Sequence, residues 1–288
     1  MAVTNVMLAA LNENTRLAVS RNEATWTKFL DFSCRFSKYA FDDQILIYGQ
    51  NPQATAVAPM HTWNKHMDRK IKKGSKGIAL FDNTSNKTHY VFDYADTEFF
   101  ANKTGKDFIT ARFEGGEDLS FAITSLEKTY GRTNDTLSHA ERIFAVAESA
   151  VDDSFPEILE DLKENVEGSF LAKYDEDELE AVLRSTLTSS VAYSVAKKAG
   201  VDVSELNLDF SHINEFDTTD SISCIGRQTA DLANPIINDL SKSFWIYRRR
   251  ELQATKESLL IKSQAQNKKY CRQILNIENR PSTQAVTS

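Results

Sequence analysis

Glycine, proline and cysteine are scarce in this chain of 288 residues, which contains ten glycines, five prolines and three cysteines. Because glycine and proline mark turns and end helices, their scarcity predicts few long loops and favours helix. The cysteines lie far apart, form no CxxC pair and, being odd in number, cannot all pair within one chain. This spacing favours a reducing compartment over a disulfide framework.

Sequence patterns that mark many enzymes and membrane proteins are also missing. The chain contains no HExxH, no GxxxxGK[ST] and no GxSxG. Gly74-Ser75-Lys76-Gly77 lies between strand-like segments, so it lacks the helix dipole that phosphate-binding loops use. No apolar run approaches the roughly 20 residues that span a bilayer, and the first residues lack the charged region of a signal peptide. We therefore expect a cytoplasmic protein that is not an enzyme and holds no metal or cofactor.

The overall charge is acidic, at -7, while apolar and charged contents of 41% and 26% are those of an ordinary globular protein. Net acidity argues against a general binder of polyanions. It leaves room for a local basic site, because exposed charges are screened beyond a Debye length of roughly 8 Å at physiological salt. The distribution of charge therefore matters more than its sum.

Helical periodicity dominates the chain, and strands are confined to one early region. Helices are predicted at 3–19, 22–37, 42–48, 118–130, 136–150, 155–167, 176–199, 219–241 and 243–275. Strands are predicted at 54–58, 69–73, 77–81 and 89–93, the middle two forming a β-hairpin around Gly74. The expected fold class is α+β and mostly α.

The same pattern predicts the domain organisation. Residues 1–97 form a small domain of helices followed by an antiparallel sheet, and 98–117 form an irregular connection. Residues 118–280 form an all-helical domain, and 281–288 a disordered polar tail.

The first predicted domain combines aromatic residues with a basic segment. Five of the twelve residues from Lys65 to Lys76 are lysines, Arg69 is a sixth base, and only Asp68 opposes them. Proteins that hold single nucleic-acid strands stack the bases on aromatic rings and place the phosphates on cations. The segment is therefore a candidate single-strand-binding surface.

Each of these features also has a structural interpretation. Rings at helical spacing, such as Trp26 and Phe29, are typical of a core, and lysines commonly protect sheet edges from aggregation. Tyr39, Tyr48 and Trp63 lie at element ends, where a ring either stacks on a base or joins the core. Polar amides either hydrogen-bond a base or satisfy buried backbone groups. The candidate DNA-binding residues are Arg35, Lys38, Tyr39, Gln44, Tyr48, Trp63, Asn64, Lys65, Arg69, Lys70, Lys72, Lys73 and Lys76.

In order and spacing, residues 20–97 resemble the N-terminal domain of ArdC-type antirestriction proteins, a single-stranded-DNA-binding module of conjugative plasmids and transposons. The resemblance rests on Trp26-x-x-Phe29-Leu30, Tyr39-x-Phe41-x-Asp43-Gln44-x-Leu46-Ile47-Tyr48, Asn51-Pro52-x-Ala54-Thr55-Ala56, Trp63-Asn64, Arg69-x-Ile71-x-Lys73-Gly74-x-Lys76-Gly77-Ile78-Ala79-Leu80 and Val91-Phe92-Asp93. It implies that the hairpin around Arg69, Lys73 and Lys76 adjoins a cleft formed by the aromatic and amide candidates.

The later part is similar to a segment that follows this domain in long proteins of Gram-positive mobile elements. The matching residues are Ser190-Val191-Ala192-Tyr193, Cys224-Ile225-Gly226 and Thr229-Ala230-Asp231-Leu232. ArdC proteins carry a C-terminal metallopeptidase-like domain with a zinc-binding HExxH, which this chain lacks. The resemblance therefore implies strand binding and not peptidase activity.

Two functions from different classes follow. The first is a non-enzymatic single-stranded-DNA-binding protein of a mobile element, which protects or handles DNA during conjugation. The second is an inhibitor of a host defence nuclease, of the restriction or CRISPR type, in which the acidic stretch from Asp152 to Glu180 mimics a DNA backbone. The partners implied are single-stranded DNA and, in addition, a host nuclease or the conjugation machinery, with no membrane partner.

Overall fold

A computed structural model describes residues 4–82, 87–101, 111–131 and 136–278. The helices are α1 Asn5–Val19, α2 Glu23–Ser33, α3 Phe41–Gln50, α4 Met60–His66, α5 Glu117–Tyr130, α6 His139–Asn165, α7 Glu176–Ala199 and α8 Thr219–Glu278. The strands are β1 Val57–Pro59, β2 Arg69–Ile71, β3 Ile78–Asp82, β4 Lys87–Asp93 and β5 Thr97–Phe99. The predicted fold class, α+β and mostly α, is confirmed.

Local side-chain hydrogen bonds explain where several helices begin. Asn22, Ser138 and Asp175 each precede a helix and accept a hydrogen bond from the backbone N–H three residues on. In each case the side chain at that third position bonds back to the N-cap backbone, so two otherwise unpaired groups are satisfied. At the other end of α7, Gly200 adopts a left-handed conformation with φ of 74°, which glycine tolerates without a Cβ clash.

The strands pair differently from the predicted β-hairpin. The strands β1, β4 and β3 form one antiparallel sheet in that order, and β2 pairs with β5 in a second. Arg69 lies opposite Phe99 and Ile71 opposite Thr97, so the predicted pairing of 69–73 with 77–81 is wrong. Strand β2 pairs with β5 because the Arg69 side chain contacts Thr97 and Phe99 of β5 and the neighbouring Tyr94. The irregular connection predicted from residue 98 accordingly begins inside this strand.

Two predicted helix breaks are also absent. The prediction separated 136–150 from 155–167, whereas α6 is continuous through Pro156. Proline removes one helical hydrogen bond, but buried residues on both sides, Val151, Phe155 and Ile158 among them, hold the two halves on one apolar surface. The break predicted near 242 is replaced by a continuous α8, since no glycine or proline interrupts the sequence there.

Two cores stabilise the first compact unit, Met1–Phe244. The larger core packs Trp26, Phe29 and Phe41 of α2 and α3 among apolar side chains of α5 to α8. The smaller core lies between α1, α3 and the three-stranded sheet. The boundary predicted at 98–117 thus lies within this unit, although 102–110 are outside the described residues. A second unit, Trp245–Ser288, contains the remainder of α8; the tail predicted at 281–288 lies outside the described residues.

Candidate nucleic-acid interface

Two of the candidate residues, Gln44 and Trp63, are parts of the folded interior. Gln44 is 2% exposed, and its Nε2 donates hydrogen bonds to the carbonyl oxygens of Phe36 (3.1 Å) and Tyr39 (3.0 Å). Trp63 is also 2% exposed, and its Nε1 donates to the Phe92 carbonyl at 2.9 Å. Neither side chain is available to a nucleic-acid base, so the sequence-based assignment of both to a binding cleft is corrected to a structural role.

Tyr39, Tyr48 and Asn64 are only partly buried, but their contacts are internal as well. The Tyr39 hydroxyl donates to the Val57 carbonyl at 3.0 Å, and burial raises its pKa to about 12. The Tyr48 ring packs edge-on against Phe29, with ring centroids 5.6 Å apart, and burial raises its pKa. The Asn64 Oδ1 atom is buried without a hydrogen-bond partner. These residues support the fold around α3 and α4 and do not form an open trough.

Arg69 is a buried anchor of the second sheet. It is 6% exposed, and its guanidinium lies between the rings of Tyr94 and Phe99, 4.2 Å from each centroid. Nε donates to Thr97 Oγ1 at 2.6 Å and one Nη to the Thr97 carbonyl at 3.2 Å. Two aromatic faces offset the loss of hydration of a buried cation. The expectation that Arg69 contacts DNA is therefore corrected to a structural role.

The five candidate lysines between positions 65 and 76, in contrast, are all exposed. Lys70 pairs with Glu98 at 3.1 Å, and the Lys72 ammonium donates to the Ala95 carbonyl at 2.7 Å. Lys65, Lys73 and Lys76 make no ion pair or side-chain hydrogen bond with the described part of the chain. We call residues 72–76, between β2 and β3, the basic turn. Its Gly74 has φ of 92°, a conformation that residues with a Cβ rarely adopt.

Two aromatic side chains that the candidate list omitted lie beside the basic turn. A Cβ placed on Gly77 would be 3.1 Å from the ring of Phe92 and 3.1 Å from Tyr90. A Cβ at this position would push both side chains away by a few tenths of an ångström, so glycine lets them lie close to the backbone next to Lys76. Tyr90 is 43% exposed and Phe92 is half-buried. The period-2 alternation of β4, which turns Val91 and Asp93 inward, is the sequence signal that identifies these two outward positions.

Arg35 and Lys38 lie elsewhere, on the loop between α2 and α3. Arg35 is exposed, and its guanidinium covers the Phe32 ring at 5.2 Å from the centroid. The loop is tied to α8 because Asn234 and Asn238 donate to the carbonyls of Tyr39 (3.1 Å) and Ser37 (3.2 Å). Among the described residues, no hydrogen bond or ion pair joins this loop to the basic turn, so we do not include the two cations in the core of the interface.

The surface around the basic turn presents cations and aromatic faces. Within the described ranges, no three His, Cys, Asp or Glu side chains come together as a group able to hold a metal ion. Burial raises the pKa of the Cys34 thiol to about 11, and burial together with Asp161 raises the pKa of Cys224. Neither thiol is therefore an activated nucleophile. The exposed lysines and the Tyr90 and Phe92 rings instead offer cations and stacking faces side by side.

Comparisons with protein-family models, curated proteins and solved structures gave no match. Across the described residues, no helix combines the length and apolar character that crossing a bilayer requires.

Proposed function

We propose that this chain is a non-enzymatic protein that binds single-stranded DNA without strong sequence preference. The observation that carries the proposal is the juxtaposition at Gly77, where two outward-facing rings of β4 adjoin the basic turn. Lys65, Lys73 and Lys76 supply cations that no other described side chain neutralises. The residues differ from the cleft implied by the family resemblance, but the physical requirement of rings beside cations is the same.

A single strand suits this surface better than a duplex. The rings of Tyr90 and Phe92 lie on a sheet face, where an unpaired base can stack on them, whereas duplex bases are already stacked on one another. Base-on-ring stacking contributes roughly 1–3 kcal/mol per base. Each phosphate held by a lysine adds roughly 0.7 to the slope of log affinity against log salt for a single strand. Three free lysines therefore predict a slope contribution of about 2.

The experiment is a titration of fluorescently labelled single-stranded and duplex oligonucleotides over a range of salt. We expect the single strand to bind more tightly, with an affinity that falls steeply as salt rises. A triple variant in which Gln replaces Lys65, Lys73 and Lys76 should lose most of the slope of log affinity against log salt. A matched control replaces three exposed lysines outside the segment, Lys28, Lys128 and Lys242. Equal loss in both triple variants, or no binding by the unmodified chain, would refute the proposal.

The biological role that we propose follows the family resemblance. During conjugation, incoming DNA is single-stranded, and a protein that coats it protects the strand or guides it to the conjugation machinery. The sequence-tolerant surface at the basic turn is what such a role requires. Transfer of a plasmid encoding the lysine triple variant, compared with one encoding the control triple, measures this role separately from binding in solution.

The alternative is inhibition of a host nuclease through an acidic face, and several carboxylates of that face already have partners within the protein. Asp175 and Glu178 are exposed, but they form the N-terminal capping box of α7. Glu176 pairs with Lys163 at 2.6 Å. These carboxylates therefore have local roles in starting α7 and joining it to α6. Recovery of a nuclease with the protein after DNase treatment is the observation that would favour this second function.

A further inference from the structure

A groove on the opposite end of the three-stranded sheet from the basic turn has no role in the proposed DNA binding. It has a volume of about 770 Å³ and lies between α1, the start of α3, the end of β3 and the start of α8. Small-molecule sites in proteins typically enclose roughly 300–1,000 Å³. Phe81, which lines the groove, pairs with Thr88 at one end of the β3–β4 ladder, while Ile78 and Gly77 lie at the other.

One side of the groove is apolar. Val6 and Ala9 of α1 line it and are exposed, Val6 by 78%, and Leu46 and Phe81 complete the same wall. An exposed valine on the rim of a groove lined by further apolar side chains offers a place for an apolar body of a ligand. This apolar wall alone does not distinguish one class of ligand from another, so the charged groups of the groove determine which class it favours.

The two arginines of the groove share one carboxylate. Arg16 donates to Asp42 and to Ser223, and Arg227 donates to the other oxygen of Asp42 at 3.2 Å. Asp42 therefore bridges both guanidinium groups, one through each of its oxygens. An anionic ligand would approach three carboxylates in the groove, those of Glu13, Asp42 and Asp43, against two guanidinium groups.

Two carboxylates of the groove, in contrast, lack partners. Neither Asp43 nor Glu13 makes an ion pair or accepts a side-chain hydrogen bond within the described residues. Asp43 is only half exposed, and burial raises the pKa of its carboxyl, with His89 opposing that effect and Asp42 adding to it. A partly desolvated carboxylate gains more from a cation placed beside it than a fully hydrated one does.

We propose that this groove binds a small organic cation, in which a protonated amine pairs with Asp43 and an apolar body lies against Val6, Leu46 and Phe81. Glu13, exposed at the mouth, favours the approach of such a ligand by its charge. The lining disfavours an anion because its three carboxylates outnumber its two guanidinium groups. The proposal is independent of strand binding, which uses the basic turn at the other end of β3.

The test uses three probes that differ only in their head group: 4-phenylbutylamine, 4-phenylbutanol and 4-phenylbutyrate. Isothermal titration of the full chain at neutral pH should show the amine binding at least tenfold more tightly than the alcohol, with no measurable binding of the carboxylate. Asp43→Asn should reduce amine affinity to that of the alcohol and leave alcohol affinity unchanged. As a matched control, Glu157→Gln removes an exposed carboxylate outside the groove and should change nothing.

Ala9→Trp provides a second, steric variant, since Ala9 is exposed on α1 and lines the groove. It should block the amine and the alcohol alike while far-ultraviolet circular dichroism stays unchanged. Equal affinity for amine and carboxylate, an unchanged amine affinity in Asp43→Asn, or no binding of any probe would overturn the proposal. Asp43→Asn should also bind single-stranded oligonucleotides as the unmodified chain does, which separates this result from a failure of the proposed strand binding.

Discussion

The contact between Gly226 of α8 and Phe41 of α3 gives the sharpest test of how the first compact unit is held together. A Cβ at position 226 would lie 2.3 Å from two atoms of the Phe41 ring, whereas ordinary contact begins at 3.4 Å. Gly226→Ala therefore forces the two groups apart by about 1 Å. Phe41 is 1% exposed, and the cavity that it and Gly226 line has a volume of only about 10 Å³, so its ring has little space to move into.

Two opposing effects set the size of the change. Alanine is a better helix former than glycine by about 1 kcal/mol, which by itself stabilises α8. Overpacking a filled core costs about 1–3 kcal/mol, and occasionally more. Because both partners belong to helices of the larger core, relief by local movement is limited and we place the cost at the upper end. We expect Gly226→Ala to lower the free energy of unfolding by about 1–2 kcal/mol.

The assay is urea denaturation, repeated in a Phe41→Leu background. A smaller side chain at position 41 removes the clash, so Gly226→Ala should then stabilise the protein through helix propensity alone. The sign of the effect should thus reverse between the two backgrounds, as a double-mutant cycle of contacting residues permits. Strictly additive changes would refute the argument, because they would mean that the ring and residue 226 do not interact.

Three further predictions concern single side chains. Ser190→Ala should lower the free energy of unfolding by about 1–3 kcal/mol, because it leaves a buried donor unpaired. In the unmodified chain, Ser190 Oγ accepts a hydrogen bond from the buried Trp26 Nε1 at 2.9 Å. Thermal or urea unfolding measures the change. Tyr90→Ala should weaken single-strand binding by about 1–3 kcal/mol without changing the salt slope, which anisotropy titrations at several salt concentrations can show. Burial raises the pKa of Tyr39 from 10.0 to about 12. The folded state therefore favours the neutral phenol, and the free energy of unfolding should fall as pH rises between these two values. The urea midpoint of Tyr39→Phe should fall less than that of the unmodified chain over the same pH range.

Local signals in the sequence account for the helices and not for the strand pairing. Capping residues such as Asn22 and Asp175 fix helix starts through contacts within four residues, which a linear pattern reveals. The pairing of β2 depends on Tyr94, Thr97 and Phe99 around the Arg69 side chain. These residues follow Arg69 by 25 or more positions, and the intervening turn looked like a hairpin. The sequence contained no local feature that favoured the distant partner over the near one.

The candidate site was predictable in its charge and not in its rings. Lysines are expensive to bury, so their exposure follows from residue type. A ring faces solvent or core according to which strand face its neighbours bury. Trp63 lies under β4 with its Nε1 bonded to that strand, while Tyr90 points outward from it. Periodicity within β4 separates Tyr90 from Val91, but no comparable alternation marks Trp63, which belongs to the short helix α4.

The buried position of Arg69 changes how mutations in the basic segment must be interpreted. Its guanidinium stacks between two rings and bonds Thr97, which fixes β2 against β5 immediately before the basic turn. Lys72 continues this pairing, because its N–H donates to the Asp96 carbonyl at 2.9 Å. The free lysines at 73 and 76 thus extend from backbone that is already ordered, so less conformational entropy is lost when they bind phosphates. Loss of binding in an Arg69 variant would therefore reflect a disordered turn, whereas loss in Lys73 or Lys76 variants would reflect a missing charge.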